Sequence, residues 1–390
     1  MSGTRLPIHD PGNATKAVRS RALQLGFELV GIAPAAPPTH ADYFLAWLER
    51  GYGGEMAYLG RPDSVHRRLD PGGILPGART VICVAMNYNV GDDGPTETPS
   101  RPVVSRYARG ADYHSVFEEK LEELARLLRD LLPGTTQARC YVDYGPVLER
   151  DHAQRAGIGW IGKNTMLINP RIGSYLFLGE IITDADLELD DAFLPDHCGT
   201  CERCITACPT GAICGPRELD ARLCISYLTI ELRGPIPREL RPLIGNRVFG
   251  CDICQEVCPW NSDAPNTNEG RFEPRANSTG SELIELLSLS EDQFRERFAG
   301  TPIARPKRRG FLRNVAVALG NWGDPAAVTP LIDALQDVEP LVRGHAAWAL
   351  GEIGGEPALT ALEARLRSEE DDWVQEEIRL ARVRVTQPER

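Results

Sequence analysis

No stretch of this 390-residue chain is apolar for long enough to cross a bilayer. The longest apolar pieces, Thr80–Met86 and Val315–Leu319, are core-sized, far short of the roughly 18–20 residues a span requires. No membrane partner is expected. The opening Met1–Asp10 lacks a basic segment followed by an apolar one, so no secretory signal is expected and a cytoplasmic, reducing location is. Excess positive charge is also missing, since the net charge is −12. Any nucleic-acid surface must therefore be a local patch and not a global field. Arg305, Lys307, Arg308, Arg309 and Arg313 offer one such patch, and Arg217, Arg222, Arg233, Arg238 and Arg241 are spread through a second region. An ordinary solvated charged face is the plain alternative.

What is present is a globular composition, 42% hydrophobic and 25% charged, with length for two or three cores. Residues 1–190 alternate helix and strand patterns and are expected to form an α/β domain. Thr15–Leu25 and Tyr113–Leu132 read as amphipathic helices, the second stopped by Pro133-Gly134. Glu28–Ile32, Thr80–Met86, Arg139–Val142 and Tyr175–Thr183 read as strands, and Val147–Ala156 as a helix. Residues 191–265 are dense in cysteine, and Asn261–Gly280 reads as a linker opening the last region, 266–390. There the Ala-Leu-Gly at 318–320 recurs at 349–351, each copy followed by a polar turn, a proline and a second helix. A period of about 31 residues with two helices per unit predicts a HEAT-like α-solenoid.

The cysteines carry the most specific signal. Cys198-Gly-Thr-Cys201-Glu-Arg-Cys204-Ile-Thr-Ala-Cys208-Pro209 has the spacing of a bacterial ferredoxin, in which three thiolates grasp one [4Fe–4S] cluster and the fourth reaches to a second. The second motif, Cys251-Asp-Ile-Cys254-Gln-Glu-Val-Cys258-Pro259, holds only three cysteines. Crossed ligation assigns Cys198, Cys201, Cys204 and Cys258 to cluster one, and Cys208, Cys251 and Cys254 to cluster two. Cys224 and Cys214 are the candidates for the missing ligand. Cys224 is preferred, because Cys214 sits where ferredoxins carry a short strand. Zinc sites would not need this crossed run. Cys83 and Cys140 lie in apolar strands and read as core. Crossed clusters need only one chain, so a monomer is expected.

Two glycine-rich patterns mislead. Gly157-Ile-Gly-Trp-Ile-Gly162 satisfies the dinucleotide fingerprint, and with Lys163 it nearly makes a phosphate loop, but Asn164 stands where Ser or Thr is required. The fingerprint follows a strand, whereas here a helix precedes it. Both readings are rejected, although such a loop can still receive a large ligand.

Several stretches taken together resemble epoxyqueuosine reductase, a cobalamin-dependent iron–sulfur family of tRNA modification. They are Arg106-Tyr-Ala-Arg-Gly-Ala-Asp112-Tyr113-His114, Val142-Asp143-Tyr-Gly-Pro-Val-Leu-Glu-Arg150, Ala156-Gly-Ile-Gly-Trp-Ile-Gly-Lys163-Asn164, Cys224-Ile-Ser226-Tyr-Leu-Thr-Ile-Glu231 and Gly245-Asn-Arg-Val-Phe-Gly-Cys251. The resemblance spans nearly the whole chain, repeats included. It implies reduction of epoxyqueuosine to queuosine at the wobble nucleotide of tRNA, with electrons relayed by both clusters from a low-potential flavodoxin or ferredoxin.

The resemblance also assigns roles. Asp143 matches the family's proton donor, for which burial is expected to raise its pKa; a helix N-cap is its plain alternative. Arg68, Ser105, Lys163 and Ser226 match cobalamin contacts, with Leu167 and Leu178 as main-chain neighbours. Some relatives carry Cys at the position of Ser105. Asp112-Tyr113-His114 begins the corrinoid signature Asp-x-His-x-x-Gly, but Phe117 replaces its glycine, so base-off cobalamin without a histidine ligand is expected. Tyr113 and His114 are expected on the substrate side, Leu148-Glu149-Arg150 against tRNA, and Lys307, Arg308, Arg309 and Arg343 around the anticodon stem-loop. Two other readings compete: a related corrinoid reductive dehalogenase, and a ferredoxin fused to an interaction scaffold.

Overall fold

The computed structural model describes residues 11–91, 98–132, 136–279 and 282–387, so the Met1–Asp10 opening and the Pro133-Gly134 helix stop lie outside the described residues. Two apolar runs, Thr80–Asn87 and Leu176–Thr183, form the middle of a four-stranded sheet and are buried along their whole length. They pair antiparallel from Thr80↔Thr183 to Asn87↔Leu176. Leu29–Pro34 flanks the first of them and Ala138–Tyr141 the second, also antiparallel. The central strands read as continuous apolar runs because both faces are covered. Helices Pro11–Gln24 and Tyr113–Leu131 bury Val18, Phe117 and Leu121 against Ile82, Phe177 and Ile181. Helix Glu149–Arg155 puts Ala153 into the opposite core with Val81, Cys83, Leu178 and Ile182.

The loop after Ala138–Tyr141 carries Asp143 in the left-handed region, at φ 61°. The next helix begins only at Glu149, with Leu148 at its N-cap position, so Asp143 is not a helix cap. The expected start of that helix at Val147 is two residues early, because Leu148 itself is non-helical. Past this helix, Gly157 turns the chain at φ 75°, and a Cβ on Gly159 would come within 2.2 Å of the Ile168 carbonyl. These glycines serve a turn and the close pairing of Trp160–Ile161 with Leu167–Ile168, and no phosphate loop is formed.

The three regions share cores. The short strand Arg247–Phe249 of the cysteine-rich segment pairs parallel with Val103–Val104 of the first region. One apolar cluster runs from Val104 and Ala108 through Ile225, Leu228 and Phe249 into the C-terminal helices. The expected linker is a docked strap: the side-chain amides of Asn87 and Asn89 donate to the Pro265 carbonyl, and Phe272 is buried edge-on against Phe177. In the solenoid, helices Lys307–Trp322, Pro340–Ile353 and Asp372–Thr386 stack in order, with Val328–Ala334 and Glu356–Leu366 between them. The repeated glycine has a packing cause, since a Cβ on Gly320 would strike Trp348 and one on Gly351 would strike Ala381.

The solenoid is fastened by polar groups within the apolar interface. Arg313 is fully buried and donates to the carbonyls of Leu228, Leu232 and Gly234, while Asn314 donates to those of Thr229 and Val248. Burial lowers the Arg313 pKa to about 9. An Arg313→Met variant keeps most of the volume but leaves three carbonyls without donors, each worth about 1–3 kcal/mol when stranded. The expected result is a fall in Tm of roughly 5–10 °C, read by thermal scanning of the cluster-loaded protein; an unchanged Tm would show that the clamp carries no stability.

Candidate functional site

Cys198, Cys201, Cys204 and Cys258 all line one cavity of about 270 Å³, beside Asn164, Ile168 and Trp260. In the second group, burial raises the Cys224 thiol pKa and Cys208 raises it further. Burial likewise pushes Cys251 up to about 12, with Cys224 nearby, and Cys254 is pushed up by burial, Cys251 and Cys224. Like charges act this way only at short range. Cys214 is exposed in the strand Ile213–Gly215, its thiol turned to the carbonyls of Gly211 and Ala212. Asn164, on the wall of that cavity, donates through its side chain to the Cys254 carbonyl at 3.2 Å, so the two sets stand close together.

A second constellation surrounds Asp143. The Tyr113 hydroxyl donates to Asp143 Oδ2 through a short hydrogen bond, and His114 Nε2 lies 3.8 Å from the same oxygen. Both come from the first turn of helix Tyr113–Leu131, whose start is fixed by Asp112 accepting from the His114 backbone N–H. Arg305, from the turn before the first long solenoid helix, reaches the same place. It donates to Asp112 Oδ1 at 3.1 Å, His114 Nδ1 at 3.1 Å and Tyr113 Oη at 3.4 Å. On the far side, the Asp143 backbone N–H donates to the Glu149 carboxylate. Arg68 is buried and donates to the Gly145 carbonyl at 3.3 Å, tying it to the same loop.

The electrostatics correct one expectation. Burial pushes the Asp143 carboxyl up, but the His114 and Tyr113 groups facing it and the Arg305 charge outweigh this and hold it below the usual carboxylate range. Its side chain keeps 61% of its surface open to solvent, so the donors, and not burial, decide the direction. Glu149 is raised to about 8 by burial and by Asp143. Glu180, on the central strand, is also raised by burial, and both of its oxygens lack a partner among the described residues.

The basic patches are corrected too. Arg343 is buried and doubly paired with Glu369, Arg308 donates to Asp337 and the Leu289 carbonyl, Arg313 is the clamp described above, and Arg305 faces inward. Only Lys307 and Arg309 of that run are exposed. In the second region Arg241 and Arg238 grip Glu377, Arg222 pairs with Asp220, and Arg217 with Asp196. Of the remaining expected residues, Arg150 donates to the Thr165 carbonyl, Leu148 is half-buried, and Leu167 and Leu178 are core. Ser105 and Ser226 flank the second cysteine group: Ser226 lies two residues after Cys224, and Ser105 donates to Asp252, between Cys251 and Cys254. Lys163 lies on the wall of the cluster-one cavity.

Comparison with known proteins places this geometry. Residues 68–144 match the family described as epoxyqueuosine reductase QueG, DUF1730, residues 197–261 a 4Fe-4S double cluster binding domain, and residues 308–381 HEAT repeats. An epoxyqueuosine reductase of Pseudomonas aeruginosa is 45% identical over 88% of this chain and 96% of its own. The chain belongs to the epoxyqueuosine reductase family. The Escherichia coli member is 40% identical over 88% of this chain and 90% of its own. A crystal structure of an epoxyqueuosine reductase with an epoxyqueuosine-modified tRNA-Tyr stem loop superposes at a TM-score of 0.90, with 33% identity over 96% of this chain and 99% of that one. A Bacillus subtilis epoxyqueuosine reductase, described with its catalytic loop swung out of the active site, gives 0.88 at 32% identity over the same shares.

Cobalamin and two [4Fe–4S] clusters come with that family, and the residues fit them. Four cysteines line one open volume, and Arg68, a buried guanidinium, forms no ion pair among the described residues, which suits a cofactor rich in amide and phosphate oxygens. Sequence reasoning missed Arg305 as a site residue, and Glu180 and Asp252 altogether. Asp252, lying between two ligand cysteines, was the one with a signal in its position. For cluster two, Cys224→Ser is expected to lower iron content toward one intact cluster while Cys214→Ser leaves it unchanged. Iron analysis giving equal, near-complete loading in both would remove Cys224 from the ligand set.

Proposed function

We propose that this chain reduces epoxyqueuosine to queuosine in tRNA, with Asp143 as the proton donor. The observation that supports it best is the convergence of Tyr113, His114 and Arg305 on Asp143, in a loop tied through Arg68 to the cofactor side. Removing the epoxide oxygen consumes two electrons and two protons and releases water. Reduced cobalamin, when bound, supplies two-electron reducing power that clusters passing single electrons cannot. Cys198, Cys201, Cys204 and Cys258 would hold one cluster; Cys208, Cys224, Cys251 and Cys254 would hold the other. Arg68, Ser105, Lys163 and Ser226, with Leu167 and Leu178, would hold the corrin.

The chain's own part is to place protons. Asp143 gives its proton to the oxygen as that oxygen gains negative charge. Glu149, which holds a proton near neutrality and bonds to the Asp143 backbone, stands next to it as the reserve. Tyr113 and His114 orient the donor. The loop's left-handed residue and the swung-out loop of the Bacillus subtilis relative support a donor that enters and leaves the site. Leu148-Glu149-Arg150 and the exposed cations Lys307 and Arg309 are the tRNA-facing groups; the electron donor is a small low-potential redox protein, and the chain works as a cytoplasmic monomer.

Asp143→Asn keeps the shape but has no acid proton. In a single turnover by pre-reduced protein on saturating modified tRNA, its rate is expected to fall by about 10²–10⁴, with cobalamin content and tRNA affinity retained. A wild-type rate would end its candidacy, and loss of cobalamin would recast it as a residue that positions the cofactor. Charge reversal at Lys307 and Arg309 is expected to weaken tRNA binding and flatten its salt dependence. Each lost phosphate contact lowers the log–log slope by roughly 0.9 for a duplex or 0.7 for a single strand. Unaltered affinity at every salt concentration would leave these cations as a solvated face.

A further inference from the structure

Arg305 makes three donations, and a guanidinium has no lone pair to accept one in return. His114 Nδ1, 3.1 Å from it, must therefore present its lone pair, which puts the neutral ring's proton on Nε2. The Tyr113 oxygen, at 3.4 Å, likewise receives from Arg305 and keeps its own proton to give to Asp143. Asp112 Oδ1 lies 3.4 Å from His114 Nδ1 and is already taken by Arg305 and the His114 backbone, so it does not claim the ring nitrogen. The guanidinium also lies over the Tyr113 ring, 5.0 Å from its centre. One observation points to a use: His114 Nε2 is buried and within hydrogen-bond distance of no group among the described residues, the nearest carboxylate oxygen being Asp143 Oδ2 at 3.8 Å.

We propose that Arg305 is the positioning residue of the proton-donating site: by occupying the acceptor atoms of His114 and Tyr113 it aims an N–H and an O–H at Asp143 and at the substrate oxygen beside it. The inference rests on the function proposed above and deepens it. It also assigns the solenoid a task in the chemistry, because Arg305 belongs to the turn that opens the first long solenoid helix. His114 Nε2–H is then free to hold the oxygen that leaves the epoxide.

The pH dependence gives a readout that mere structural support would not move. Asp143 is recharged from Glu149, so the pair is active while it holds a proton, and turnover declines as pH rises through the pair's titration. The Arg305 charge favours ionised Asp143, and removing it moves the decline to higher pH. The other titratable groups facing Asp143 are Glu149, Glu180, Tyr58 and Tyr107, and none is altered in the variants. In single turnovers of cobalamin- and cluster-loaded protein, Arg305→Gln is expected to lose at least tenfold in maximal rate, shift its decline upward in pH and bind tRNA within about twofold of wild type. Arg305→Lys is expected to restore the pH position but not the rate, because an ammonium lacks the fixed fork. An unshifted profile in the Gln variant, or a defect wholly in tRNA affinity, would overturn the proposal and return Arg305 to the phosphate-binding patch. A second reading does not need turnover. Nitrogen-15 signals of the histidine-labelled full chain, with His114 assigned through His114→Gln, are expected to show the Nε2-protonated ring in wild type and lose that preference in Arg305→Leu. An Nδ1-protonated ring in wild type would refute the inference, whereas an inactive wild type with the Nε2 form would refute the function and leave only the hydrogen-bond arrangement around Arg305.

Discussion

The buried clamp of Arg313 and Asn314 on the backbone of residues 228–248 is the contact on which the arrangement turns. Five carbonyls of the cysteine-rich region have their donors supplied by one turn of a solenoid helix, inside a largely apolar core. A buried carbonyl without a donor is costly, so the helix has one register against that backbone. Eight residues before Arg313, the same register delivers Arg305 to Asp112 and His114. The solenoid thereby bears on both halves of the protein: it braces the segment holding Cys224 and Cys251, and it completes the surroundings of Asp143.

The second constraint is the split of each cysteine motif between two groups. Cys258 stands with Cys198, Cys201 and Cys204, while Cys208 stands with the later cysteines. Neither group closes until the chain between the motifs has folded back on itself. That chain includes the strand Arg247–Phe249, which adds to Val103–Val104, so closing the groups also draws Ser105 toward Asp252. Cluster region, corrin side and proton-donating loop are thus packed on one another, and the apolar cores cross the expected domain boundaries.

Much of this was legible in the sequence because it is local. The cysteine spacings, the amphipathic helix Tyr113–Leu131, the apolar central strands and the Ala-Leu-Gly repeat each depend on neighbours a few residues apart. The rest depends on partners far along the chain. Arg343 and Arg308 look like phosphate ligands until Glu369 and Asp337, 26 and 29 positions away, are seen to neutralise them. Arg305 meets Asp112 across 193 positions. The direction of the Asp143 pKa departs from expectation for the same reason: the three groups that hold it down come from two distant segments. The strap at 261–279 reads as a linker because its anchors, the Pro265 carbonyl and the Phe272 ring, meet partners far along the chain that composition does not reveal.

The central claim, that this site deoxygenates epoxyqueuosine in tRNA, is tested most directly by nucleoside analysis of tRNA from cells lacking the gene for this chain. Epoxyqueuosine should accumulate and queuosine disappear, and the wild-type gene should reverse both. Queuosine at its normal level in the deletion strain, with no other reductase of this kind present, would contradict the account.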